Sequence, residues 1–160
     1  MTVAIINSLA TGQSSAIESN TISLSAKVMT TGDTIFNVGG GDILIFALLS
    51  ECYTANGAAA STLQYSVTNN TTGVTTTISA ASASLANAAI GVSVIAQLGA
   101  LANAPVVSSA SGVGVFPWGA IRIPGNSSVK LVIGTGPTTG TWKHYLHYKQ
   151  LEAGAYVTAV

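Results

Sequence analysis

His144 and His147, three residues apart, are the two histidines of the chain and the first place to look for metal or general-base chemistry. A spacing of three in a strand sends the side chains to opposite faces, so the pair does not chelate one ion. The expected roles are a hydrogen-bonded position at the core edge for His144 and a surface or interface position for His147. Serine, histidine and carboxylate are all available for acyl transfer, yet there is no G-x-S-x-G elbow and no helix to carry one. The carboxylates Glu18, Asp33, Asp42, Glu51 and Glu152 are scattered mostly at turns, without the paired placement that glycoside hydrolysis requires. Gly134, Gly136 and Gly140 follow a strand as a phosphate-cradling loop would, but Pro137 stands among them and a strand follows, so the segment reads as a turn. Asp33 and Asp42 bracket a short strand and three glycines without the alternate-position carboxylates of a calcium loop, and turn roles are expected for both.

Cys52 is a lone cysteine, which rules out an intrachain disulfide and a thiolate metal cluster and leaves it as a small apolar residue. Asn69, Asn70 and Asn126 each begin a glycosylation tripeptide, a chance outcome in a chain so rich in Ser and Thr. Trp118, Tyr145 and Tyr53 are the candidates for an exposed sugar-stacking platform, although core or subunit packing is the expected use of so few aromatics. No catalytic residue, no metal ligand and no cofactor site follows from these residues, and the chain reads as a non-enzyme.

The elements that carry these residues are strands. Period-two alternation recurs throughout, and sustained helical periodicity does not. Residues 21–30 place Ile22, Leu24, Ala26 and Val28 on one face and Thr21, Ser23, Ser25 and Lys27 on the other. A strand over 34–38 runs into Gly39, Gly40, Gly41 and Asp42, a break where positive φ is cheap. The apolar run 43–49 fits a strand buried on both faces. Residues 54–61 form a small-residue loop, and a hairpin follows, with Leu63, Tyr65 and Val67 alternating into a turn over 69–73 and a return over 74–79. A strand is expected over 91–98, irregular chain over 105–119, and short strands over 121–123 and 129–133. The longest alternating segment is 141–151, with Trp142, His144, Leu146 and Tyr148 facing one way and Lys143, Tyr145, His147 and Lys149 the other. A last strand or arm spans 155–160. About eight short antiparallel strands joined by Gly, Pro, Asn and Ser turns make an all-β sandwich of the jelly-roll or Greek-key type.

Charge is scarce: five basic and five acidic residues among 160, net zero, pI near 6.7. An ordinary soluble surface is about a quarter to a third charged, so this one is wetted by hydroxyls and backbone or is buried against other chains. Neutrality leaves no electrostatic footprint for nucleic acid or an anionic membrane. Glu18, Asp33, Asp42 and Glu51 fall early, whereas Arg122, Lys130, Lys143 and Lys149 fall late, a distribution that arises by chance or through head-to-tail complementarity between subunits. The Ala-rich stretch 85–104 is broken by Asn87, Ser93, Gln97 and Asn103 and does not read as a membrane span. Residues 1–9 lack a basic n-region, so no secretory signal is read and synthesis in a cytoplasm is expected. Residues 1–16 read as an N-terminal arm that docks on a neighbour, with one β-sandwich domain over 17–160.

The C-terminal pattern runs from Ile123, Pro124 and Gly125 through a strand containing Val132 and a Thr/Gly turn. It continues with Gly140, Thr141, the aromatic strand to Tyr148, and then Leu151, Gly154, Ala155 and Val157. Over roughly the last 45 residues it resembles the small capsid decoration (cement) proteins of tailed bacteriophages. The resemblance implies a jelly-roll or β-sandwich subunit that trimerises, made in the host cytoplasm. It would sit on the outer capsid surface of the virion, bind the major capsid protein and stabilise the shell. It carries over no catalytic motif. The alternative is a carbohydrate- or receptor-binding β-sandwich module of a phage head or tail fibre, which requires an exposed aromatic beside an acidic or amide groove.

Overall fold

The computed structural model describes residues 19–109, 119–136 and 138–160. The N-terminal arm read over residues 1–16 and the platform candidate Trp118 lie outside the described residues. Within them the chain forms eleven strands and no helix. The strands are β1 (Asn20–Val28), β2 (Thr34–Gly39), β3 (Ile43–Cys52), β4 (Thr62–Asn69), β5 (Thr75–Thr77), β6 (Ser93–Ile95), β7 (Val106–Val107), β8 (Ile121–Ile123), β9 (Ser127–Gly134), β10 (Thr141–Gln150) and β11 (Tyr156–Ala159). No helix among the described residues is long and apolar enough to cross a membrane.

All pairings are antiparallel. One sheet, A, runs β1-β10-β3-β6-β7 with β8 also on β3, and the other, B, runs β11-β2-β9-β4-β5. Setting aside β7, β8 and β11 leaves β1-β10-β3-β6 facing β2-β9-β4-β5. The chain therefore pairs with itself in nested fashion, β1 with β10, β2 with β9, β3 with β6 and β4 with β5. An antiparallel ribbon rolled up in this way is the jelly roll, an arrangement that viral capsid and lectin domains share.

Alternation puts one face of each long strand in the interior. Trp142, His144, Leu146 and Tyr148 are buried, while Lys143, Tyr145, His147 and Lys149 on the outer face are half-buried. Across the sandwich they meet Phe36, Val38, Leu63, Tyr65, Val129 and Leu131 from sheet B. The break after β2 has the expected backbone, with φ of +72° at Gly40 and +156° at Gly41.

Three expectations change. In β1 a bulge between Leu24 and Lys27 shifts the register, so Lys27 pairs with inward-facing Trp142 and Val28 turns out to solvent at 44% exposure. One extra residue inverts the faces beyond it, which alternation read straight through from Thr21 does not capture. Strand β3 is buried on its inner face alone; Leu44, Phe46 and Leu49 on the outer face are half-buried. The strand count exceeds eight, in part because Val106–Val107, within the stretch read as irregular, pairs with β6.

The loop over residues 54–61 is more than a spacer. Asn56, 6% exposed, donates to Leu85 O (2.8 Å) and Ser61 Oγ (3.2 Å) and accepts from the N–H groups of Thr139 (2.9 Å) and Gly140 (3.1 Å). One amide thereby ties three connections together at one end of the sandwich.

Candidate functional site

The structure brings one pair of chemically suggestive residues together. Ser50 and His144 face each other across the β3–β10 register, both fully buried, and Ser50 Oγ lies 2.7 Å from His144 Nδ1. Ser50 Oγ is also 2.8 Å from the Tyr65 hydroxyl, which donates to Val94 O at 3.0 Å. A carbonyl only accepts, so the direction of the whole chain follows. Tyr65 spends its proton on Val94, Ser50 spends its own on Tyr65, and His144 Nδ1–H donates to Ser50. The relay links sheet B, through Tyr65 on β4, to three strands of sheet A. It has the wrong polarity for a nucleophile, because a general base must take the serine proton rather than supply one to it. No solvent reaches it.

The same logic fixes the tautomer of His144 with a bare Nε2, and that atom has no hydrogen-bond partner among the described residues. A proton added there would sit in the core without an acceptor. Burial, reinforced by Lys27 and partly opposed by Asp33, lowers the His144 pKa from its usual 6.5 to about 4. Burial likewise pushes the Tyr65 hydroxyl up, with the Ser50 hydrogen bond acting in the opposite direction. Cys52 is buried and its thiol pushed up by desolvation, as suits a small core residue.

His147 lies on the outer face, its Nδ1 2.9 Å from Thr21 Oγ1 and its ring tilted against Phe46. The histidines thus occupy opposite faces, and no group of three or more His, Cys, Asp or Glu able to hold a metal occurs among the described residues.

The few charges are largely spent within the chain. Asp33 pairs with Lys27 at 3.5 Å, and Asp42 pairs with Arg122 while accepting from Gly125 N–H at 2.9 Å. The Gly125 N–H holds the Asp42 carboxyl below its usual range; desolvation opposes it, and the hydrogen bond and charge of Arg122 add to the lowering. The antiparallel β3–β10 pairing sets Glu51 opposite Lys143. Glu51 Oε2 accepts from the Tyr145 hydroxyl at 3.2 Å, and Lys143 Nζ sits 4.1 Å from the centroid of the Tyr53 ring. Asp42 with Arg122, and Glu51 set opposite Lys143, thus bring two early acids beside two late bases inside one subunit, because the rolled ribbon lays the last third of the chain beside the first, whereas Asp33 pairs with the early Lys27. Of the platform candidates, Tyr53 is 51% exposed but has Lys143 over its ring, and Tyr145 is half-buried.

An aromatic that sequence reasoning passed over occupies a better-formed setting. On the outer face of sheet B, Thr158, Asn37, Ser128, Thr68 and Thr75 stand opposite one another across all five strands, an uncharged row. One row further along, Tyr156 pairs with Gly39. A Cβ on Gly39 would meet Tyr156 ring and hydroxyl atoms at 2.5–2.9 Å, so the ring rests on glycine backbone. Its exposure is 52%. The ring borders a groove of about 380 Å³ lined also by Asn37, Asn70, Asn126 and Thr158. The signal available in the sequence was Gly39 and Tyr156 themselves, but their juxtaposition depends on the β2–β11 register. A second groove, about 430 Å³, lies between the β4–β5 hairpin and β8 and is largely aliphatic, with Val67, Val74, Ile78 and Ile121 among its walls.

No family model and no curated protein matches the chain. Two solved structures are similar. A chain in the structure of infectious bursal disease virus, Gx strain, is 8% identical with a TM-score of 0.30, over 88% of this chain and 38% of that one. A chain in the crystal structure of the infectious bursal disease virus VP2 subviral particle is 11% identical with a TM-score of 0.24, over 90% and 40%. The present chain thus spans about two-fifths of the length of either. Similarity at this level assigns neither family nor function.

Proposed function

We propose that this chain is a structural virion protein that binds the outside of a tailed-phage capsid as a homotrimer, contacts the major capsid protein and stabilises the shell. The observation that carries the reading is the surface. On a jelly roll the charges are few, and Asp33, Asp42, Glu51, Lys27, Arg122 and Lys143 are engaged within the subunit. Hydroxyls, amides and backbone are left to face outward. Such a surface packs densely against copies and lattice without like-charge repulsion and without attracting polyanions. The trimer, the phage origin and the outer location rest on the resemblance of the C-terminal segment to decoration proteins.

The test adds purified protein to heads that lack it, then measures occupancy by cosedimentation and the temperature at which the heads rupture. A ligand that binds only the intact lattice stabilises it by mass action, so occupancy with a raised rupture temperature is expected, with no turnover of esters, glycosides or phosphate esters. Absence of occupancy on any head sinks the reading in favour of the glycan- or receptor-binding module. That second reading has one observation of its own, the groove beside Tyr156.

A further inference from the structure

We infer that the Tyr156 groove is a binding site for a neutral hexopyranose unit of a glycan. The ring is seated on backbone before any ligand arrives. Gly39 pairs with Tyr156 and provides the flat floor, since a Cβ there would meet the ring at 2.5–2.9 Å, and a Cβ on Gly40 would approach Tyr156 Cδ1 at 3.1 Å. With one face of the ring on backbone and 52% of the residue exposed, the other face is open to solvent. A preordered aromatic face costs little entropy to use, and the C–H groups of a pyranose are the apolar surface that fits it.

The polar walls suit the same ligand. Asn70 Nδ2 and Asn37 Oδ1 both bond Ser128 Oγ, at 3.0 and 2.8 Å. A hydroxyl has one proton to give, so the relay runs from Asn70 to Asn37 or, with both amides reversed, from Asn37 to Asn70. Either direction leaves one amide NH₂ and one amide carbonyl oxygen at the groove, the Asn70 member of the two having only the longer 3.3 Å contact with Ser128 Oγ. Asn126 is held in the left-handed region, φ +55°, and donates to Thr71 Oγ1 at 2.9 Å, which leaves its carbonyl oxygen for a ligand. Thr158 adds a hydroxyl. Donors and acceptors thus stand beside an aromatic face, and among the described residues no charged side chain lines the groove. Sugar hydroxyls, which donate and accept, match this set. A carboxylate or phosphate finds no cation there. The volume lies at the small end of the range for ligand pockets, about 300–1,000 Å³.

Sugar binding and head occupancy are separate readouts, so this assignment and capsid binding stand or fall independently. The experiment titrates the full chain with methyl glycosides of glucose, galactose, mannose and N-acetylglucosamine, and with N-acetylneuraminic acid as the charged comparison. It follows side-chain amide signals of Asn37, Asn70 and Asn126 by NMR. At least one neutral glycoside is expected to shift them saturably with a Kd on the order of 1 mM, and the acid to bind at least tenfold more weakly. Tyr156→Phe keeps the affinity, because the ring face is the contact, whereas Tyr156→Ala weakens it at least tenfold. Gly39→Ala lifts the ring from its floor and weakens binding to the same degree without altering any polar group. Gly39 lies in β2 outside the positive-φ region, so alanine itself is compatible with the backbone there. Should Gly39→Ala fold poorly, Gly39→Ala with Tyr156→Ala relieves the collision, regains the melting temperature of Tyr156→Ala and remains defective in binding. Absence of saturable shifts with every neutral glycoside, equal affinity in Gly39→Ala, or preference for the acid would each overturn the assignment.

Discussion

Acid should destabilise this protein through His144 well before the carboxylates take over. The folded state holds the imidazole neutral to about pH 4, while an unfolded chain protonates it near 6.5. Between those values the unfolded state binds the extra proton, so stability is present in full above the unfolded pKa and is lost as pH falls through the window. A shift of one unit corresponds to about 1.4 kcal/mol, so the whole interval amounts to roughly 3 kcal/mol, a large part of the 5–15 kcal/mol typical of a domain. Lys27 and Asp33 are the charged groups that act on His144, and they act in opposite directions, so burial of the unpartnered Nε2 dominates. The assay is urea denaturation at about pH 7, 6, 5 and 4, at one protein concentration because assembly would add its own stabilisation. His144→Gln is measured alongside. The variant is less stable at neutral pH but has nothing to titrate at this position, so its loss between pH 7 and 4 should be smaller than that of the wild type by roughly 3 kcal/mol. Parallel losses in the two proteins, or an imidazole NMR titration with its midpoint near the ordinary value, would refute the reasoning.

Three other outcomes are expected. Trp142→Ala should cost about 3–5 kcal/mol in chemical denaturation, as for other fully buried aromatics, whereas Lys143→Ala next to it loses an exposed contact with Tyr53 worth about 0.5–1 kcal/mol; a larger effect at Lys143 would mean the faces of β10 are exchanged. Asn56→Ala strands the Thr139 and Gly140 N–H groups, while Leu85 O keeps its bond from Ala88 N–H, at about 1–3 kcal/mol for each stranded group that finds no water, and a loss in urea melts of under about 0.5 kcal/mol would show that loop solvent replaces the amide. Light scattering at micromolar concentration should report a homotrimer, with an interface of at least about 1,000 Å² per contact; a monodisperse monomer would remove the oligomer from the proposed function.

Much of the fold was legible in the chain because a strand buried on one face must alternate. The buried set Trp142, His144, Leu146 and Tyr148, the β4–β5 hairpin and the glycine break after β2 all follow from period two and from turn chemistry, which are local. The burial of Cys52 was equally readable from its neighbours. Local pattern stops where pairing begins. A bulge in β1 costs one residue of register and moves Lys27 to the inner side, and nothing in residues 21–30 marks it. That Ser50, Tyr65 and Val94 converge on His144 depends on β3 lying beside β10 and on β4 crossing over them in the other sheet. The groove needs Tyr156 laid on Gly39, 117 positions away in the chain, with Asn37 from the same strand as Gly39 and two further amides, Asn70 and Asn126, from the β4–β5 and β8–β9 connections. The sequence alone determined which side chains turn inward where a strand runs without a bulge, as in β10, because alternation is a property of each strand taken singly. Only the tertiary structure decided which of them meet, because a rolled antiparallel ribbon pairs strands that are mostly remote along the chain, β1 with β10 and β2 with β9 and β11.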